Sequence, residues 1–146
     1  MKPVEAITNI LTGQISSCNV LLGILQRERG CLVDLNADCV EELSKEKDTV
    51  LLRLRLLEEE RIRLVRKFFE REMTLKEISA VTGDASLLEI RSTLLSLARS
   101  VEELNQFNRL LIDRSLSYMR STVNFFSYHE INQGGGSKGT LLSAEI

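Results

Sequence analysis

From Leu87 to Tyr128 the chain runs for about 42 residues without a glycine or a proline. With no breaker over that length, one long α-helix is the simplest reading. At roughly 100° per residue, Leu87, Ile90, Leu94, Leu97, Ala98, Val101 and Leu104 fall within an arc of about 120°, the face a helix buries in a bundle. Beyond Phe107 the arc widens. Leu111, Tyr118 and Phe125 make one stripe, and Ile112, Leu116, Met119, Val123 and Phe126 make a second at alternating 4,3 spacing, so that roughly half the circumference is apolar. Such a helix carries more apolar surface than its own bundle needs, which marks these eight residues as a binding surface for another helix.

The remaining segments supply partners for that helix. Pro3 opens a first helix to about Arg29, with Gly30 as its stop. Val4, Ile7, Leu11, Cys18, Leu21 and Leu25 follow a 3,4 alternation that Gln14 interrupts. Asp34, Asn36 and Asp38 then compete to cap a second helix to about Glu72. Its seam is Val40, Leu43, Val50, Leu54, Leu57, Leu64 and Phe68, interrupted by Lys47 and Arg61. The charges around it, from Glu58 to Glu72, alternate in sign at i,i+3 and i,i+4 distances and read as a solvated face. Thr74 with Glu77, and Ser86 with Glu89, fit the capping box and bracket a short helix from Leu75 to Val81, ended by Gly83. The long helix measures about 63 Å against roughly 40 Å for the first, so part of one end should project beyond the bundle.

Composition narrows the class further. A chain of 146 residues, 43% hydrophobic and 27% charged, with one proline and no tryptophan, has the make-up of an all-α domain. The architecture it predicts is an elongated antiparallel helical bundle or coiled coil of three long helices with a short connector helix. Residues 1–130 would form that domain. Residues 131–146, rich in glycine from Gly134 to Gly139, would form a flexible tail carrying Leu141, Leu142 and Ile146.

A net charge of −2 offers no overall attraction to nucleic acid or to an anionic membrane. Glu5 and Asn9 break any signal-peptide core, and no uninterrupted run of about 18 apolar residues is present, so no membrane insertion is expected. Cys18, Cys31 and Cys39 are odd in number and lack C-x-x-C spacing, which reads as three reduced thiols with no zinc site. His129 is the only histidine, no Glu-x-x-His pair exists, and the glycine run lacks the Lys-Ser/Thr ending of a phosphate loop. No catalytic residue, metal or cofactor is therefore expected, and the chain reads as a binding protein rather than an enzyme.

Two other features need weighing. Met73 to Gly83 has the outline of the first helix and turn of a helix-turn-helix, but a recognition helix starting near Ser86 would offer Leu87, Leu88, Glu89 and Ile90 where bases and phosphates require basic or amide groups. A capped connector is the better reading. Asn105 and Asn108 are the polar marks on the long helix. Asn108 falls on the seam of Leu94, Leu97, Val101, Leu104 and Leu111, where a buried amide sets register at some cost in stability.

The residues also carry a family resemblance. Asp38, Leu43, Lys47, Leu51, Leu54, Glu58, Arg61 and Leu64 on the second helix resemble the pattern of FlgN-type flagellar export chaperones. Asn105 and Asn108 followed by Leu110 and Leu111, with Leu116 and Tyr118 after them, are similar to a segment of that family's long last helix. The order of elements matches over nearly the whole chain. The resemblance implies a cytoplasmic chaperone of flagellar type III export that holds the C-terminal helical segments of the hook–filament junction proteins FlgK and FlgL, prevents their premature assembly and brings them to the export gate protein FlhA. The alternatives are a structural coiled-coil protein that self-associates through the same stripe and a DNA-binding regulator that uses Met73 to Gly83. If residues 131–146 form a tail independent of the body, deleting them should leave the thermal midpoint within a few degrees of the full chain. A larger fall in a melting experiment would show that Leu141, Leu142 or Ile146 packs on the domain.

Overall fold

The computed structural model describes residues 2–132, with side chains through Tyr128. Four helices follow one another: α1 (Pro3–Val33), α2 (Ala37–Phe69), α3 (Leu75–Thr82) and α4 (Ser86–Asn132). No strand occurs among the described residues, in keeping with the all-α reading. The expected tail lies outside the described residues, apart from the backbone of 131 and 132, which continues α4.

Local chemistry explains most of the boundaries. The side chain of Asn36 accepts from the Cys39 amide and so starts α2, and Thr74 does the same for α3 through the Glu77 amide. Gly83, at φ 73°, ends α3 in the left-handed conformation that glycine adopts at least cost. Two ends differ from the sequence reading. Helix α1 passes through Gly30 and stops in a Schellman turn, in which the Asn36 amide donates to the Cys31 carbonyl and the Leu35 amide to that of Leu32. The left-handed position there is held by Leu35, at φ 54°. At the start of α4, Asp84 Oδ1 accepts from both the amide and the hydroxyl of Ser86, so Asp84 does the work expected of Ser86.

Helix α1 is the central element. It packs against α2 on one side and α4 on the other, while α2 and α4 make little direct contact with each other. The connection of α1 to α2 is a tight turn, so these two run antiparallel. Helix α4 runs parallel to α1: Ile7 shares a buried cluster with Leu87 near both N-termini, and Leu25 and Glu28 meet Asn108 much further along. Successive long helices thus alternate in direction, α1 antiparallel to α2 and α4, two reversals later, parallel to α1. The reversal between α2 and α4 is made by α3, whose buried Ile78 joins Met73, Leu64 and Val65 in closing that end of the core.

Two further readings require correction. Helix α1 contains an 18-residue window of mean hydropathy 1.2, long and apolar enough to cross a membrane by length and composition. Scattered polar residues interrupt every apolar run in it without lowering the average below that level. In the fold, α1 buries Gln14, Ser17 and Glu28 along with its leucines and isoleucines, and contributes most of the core. The reading of three unrelated thiols also changes, because the turn after α1 places Cys31 and Cys39 side by side, at a Cα–Cα separation of 5.8 Å that a disulfide can span. Eight residues of separation look unrelated in sequence and become neighbours once the chain reverses. Cys18 is a free thiol, and burial pushes its pKa up.

The polar interruptions of the two seams are taken up in two hydrogen-bond networks, one on Glu58 and one on Glu28. Gln14 Nε2 donates to Glu58 Oε2 at 2.8 Å, and Arg61 Nε donates to the same oxygen at 2.9 Å. The Arg61 guanidinium, more than the Gln14 amide, holds the Glu58 carboxyl below the usual carboxylate range despite partial burial. Near the other end of α1, Lys47 Nζ donates to Glu28 Oε2 at 2.8 Å, and Asn108 Nδ2 donates to Glu28 Oε1 and to the Leu25 carbonyl, both at 2.9 Å. Glu28 and Asn108 are almost fully buried. A buried carboxylate that loses a donor is costly. Asn108→Leu should therefore destabilise the domain by about 1–3 kcal/mol in urea or guanidinium denaturation. A raised midpoint would show that the seam prefers an apolar side chain to this network.

Candidate partner-binding site

The parallel register of α1 and α4 decides how much of α4 is left over. Glu28 lies beside Asn108, so the last residue of α1, Val33, lies at about the level of Asp113. Helix α4 continues to Asn132, and its last 19 or so residues, roughly 28 Å, extend past the end of α1. This overhang has the wide apolar surface that the sequence pattern identifies.

Of the eight residues singled out there, Tyr118, Phe125 and Phe126 are well exposed, at 69%, 58% and 60%. Leu111, Ile112, Leu116, Met119 and Val123 are half-buried. The rings of Phe125 and Phe126 pack edge to face at 5.7 Å between centroids. All eight lie on one segment of α4: Leu111 and Ile112 stand beside the last turn of α1, and the other six lie on the overhang. Three more apolar side chains extend the surface, Phe107 and Leu110 before it and Tyr128 after it, all exposed. The same seven-residue step that links Leu111, Tyr118 and Phe125, taken with the three- and four-residue steps of a helix, reaches Phe107 and Tyr128. Their signal was therefore present in the sequence. Val33, the last residue of α1, and Leu35, in the turn after it, are both exposed and add apolar surface at the level where the overhang begins.

The polar residues expected to set register divide. Asn108 is buried in the network with Glu28, while Asn105 is solvent-exposed and takes no part in it. The connector residues Met73 and Ile78 are spent on the core cluster at the opposite end of the molecule. Among the described residues, no group of three or more His, Cys, Asp or Glu side chains is placed to hold a metal ion. The side chain of His129 lies outside the described residues. What the geometry offers is a one-sided apolar helix with no helix of its own chain lying alongside it among the described residues.

A protein-family model described as FlgN protein matches residues 1–140, nearly the whole chain. The chain belongs to the FlgN family. This is a family of flagellar export chaperones, and the match covers the overhang as well as the packed part of the bundle. No curated protein and no solved structure matches the chain significantly. Within the FlgN family assignment, the exposed aromatic residues of α4 have a simple stability consequence. Because Tyr118 and Phe126 have little burial to lose, Tyr118→Ala and Phe126→Ala should each change unfolding free energy by less than about 0.5 kcal/mol in chemical denaturation. A loss above about 2 kcal/mol for either would place that side chain in the core.

Proposed function

We propose that this protein is a cytoplasmic chaperone, not an enzyme, that binds the C-terminal helical segments of the junction proteins FlgK and FlgL, keeps them from assembling prematurely and brings them to the export gate protein FlhA. The observation that carries the reading is the overhang of α4. Proteins that polymerise through amphipathic terminal helices need those helices masked before export, and a one-sided apolar helix can provide the missing face. Met119 adds an adaptable, polarisable contact suited to more than one client. The family assignment supports a chaperone role in flagellar export, and the named clients and the gate are the finer part of this proposal.

The decisive variant is Leu116→Asp combined with Val123→Asp. Two carboxylates placed in the apolar stripe would be desolvated against a client helix, at several kcal/mol in total. Binding of FlgK and FlgL C-terminal segments, followed by titration calorimetry, should fall below detection while circular dichroism and the melting temperature stay near those of the wild type. Unfolding of the variant would place the stripe in the bundle core. Retained binding by a folded variant would move the client site elsewhere, and a stable wild-type dimer that the variant dissolves would favour self-association.

A further inference from the structure

The direction and borders of the overhang specify more than apolarity. An α-helix returns to the same angular position after 18 residues, or about five turns. Met119 therefore points as Val101 does, and Phe126 as Asn108 does. Val101 lies on the seam turned toward α1, and Asn108 bonds to α1 directly. The apolar arc of the overhang is thus the continuation of the side of α4 that faces α1, and it offers the position α1 would occupy if it were longer. A partner helix seated there would follow α1 end to end.

The edges of that arc are basic. On a helical projection at roughly 100° per residue, Arg114 borders one edge and Arg120 the other, while Arg109 continues the second border back beside the last turns of α1, next to Asn108. All three are exposed, and none forms an ion pair among the described residues. On α2, Arg61, Arg63 and Arg66 are each matched by a carboxylate of the same segment, Glu58, Glu60 and Glu72, while Arg53 and Arg55 are exposed without an ion pair among the described residues. Between Arg109 and Tyr128 the three arginines face only one acidic residue, Asp113, in a chain whose net charge is −2. Unmatched cations on both borders of an apolar arc favour a partner with carboxylates on both borders of its apolar face.

We propose that the partner of the overhang is an amphipathic helix of about five turns flanked on both sides of its apolar face by acidic residues. This rests on the reading of the overhang as the client site and adds the charge pattern that a client must carry. The test uses two synthetic helical peptides of about 20 residues with one and the same apolar face, bordered by glutamates in one and by lysines in the other. Each is titrated into the full chain by fluorescence anisotropy. The glutamate peptide should bind about tenfold tighter or more at low salt, and the difference should shrink as salt is raised. Arg114→Glu with Arg120→Glu should reverse the preference, with helix content unchanged because both side chains are exposed.

Equal binding of the two peptides, a preference for the lysine peptide, or no effect of the double charge reversal would each overturn the proposal. So would failure of both peptides to bind. None of these outcomes bears on the chaperone reading, which stands or falls on the FlgK and FlgL segments and the Leu116→Asp, Val123→Asp variant.

Discussion

The bond between Asn108 and Glu28 governs the architecture. Along most of their length α1 and α4 meet through leucine, valine and isoleucine, and such a seam tolerates a shift of one heptad because the pattern repeats. The amide does not tolerate it. A slip of seven residues would leave Glu28, nearly fully buried, with Lys47 as its single partner, and would bury Asn108 against apolar side chains. Because Lys47 holds the other oxygen of Glu28, one carboxylate ties α2, α1 and α4 into a single register. That register fixes where α4 leaves α1, and hence the length of the overhang. A shift of one heptad would add or remove about 10 Å of exposed apolar helix.

The network also shows why polar residues interrupt both seams. Taken one helix at a time, Gln14, Lys47 and Arg61 look like defects. In the fold Gln14 and Arg61 converge on Glu58, and Lys47 reaches Glu28. The two sites lie at different levels of α1, so the antiparallel pairing of α1 with α2 is specified at two points. Buried polar groups of this kind add little net stability compared with apolar packing, but mispairing them is expensive, and they therefore discriminate between registers.

Much of this was readable in the sequence, and the rest was hidden for identifiable reasons. The long helix, its narrow face and its widened end follow from periodicity, which is a local property. The caps of α2 and α3 follow from Asn36 and Thr74, whose side chains bond within the same turn. Gly30 misleads because a glycine in a helix is a modest penalty that burial of the following Cys31 and Leu32 outweighs, so the turn forms instead at Leu35. The Cys31–Cys39 pair and the parallel run of α1 with α4 depend on how the chain turns, and the polar interruptions could be seen without their partners. Pairing across helices needs a register that no single-helix pattern contains. Phe107 and Leu110 lie on α4 before its overhang begins, and the spacing that places Phe107 on the stripe does not tell that the fold leaves either side chain exposed.

The exposed stripe brings a liability that the rest of the molecule must contain. Aromatic side chains such as Tyr118 and Phe126 open to solvent invite self-association. Charge limits it. Two copies pairing through their overhangs would bring Arg109, Arg114 and Arg120 of one against the same residues of the other, with only Asp113 to offset them, so a homodimer through this face meets like charge along its borders. A partner with acidic borders meets the opposite. If the partner carries acidic borders as proposed, the same arginines that disfavour the homodimer would also favour the heterologous complex, so that one charge pattern would both keep the free chain apart and select what it binds.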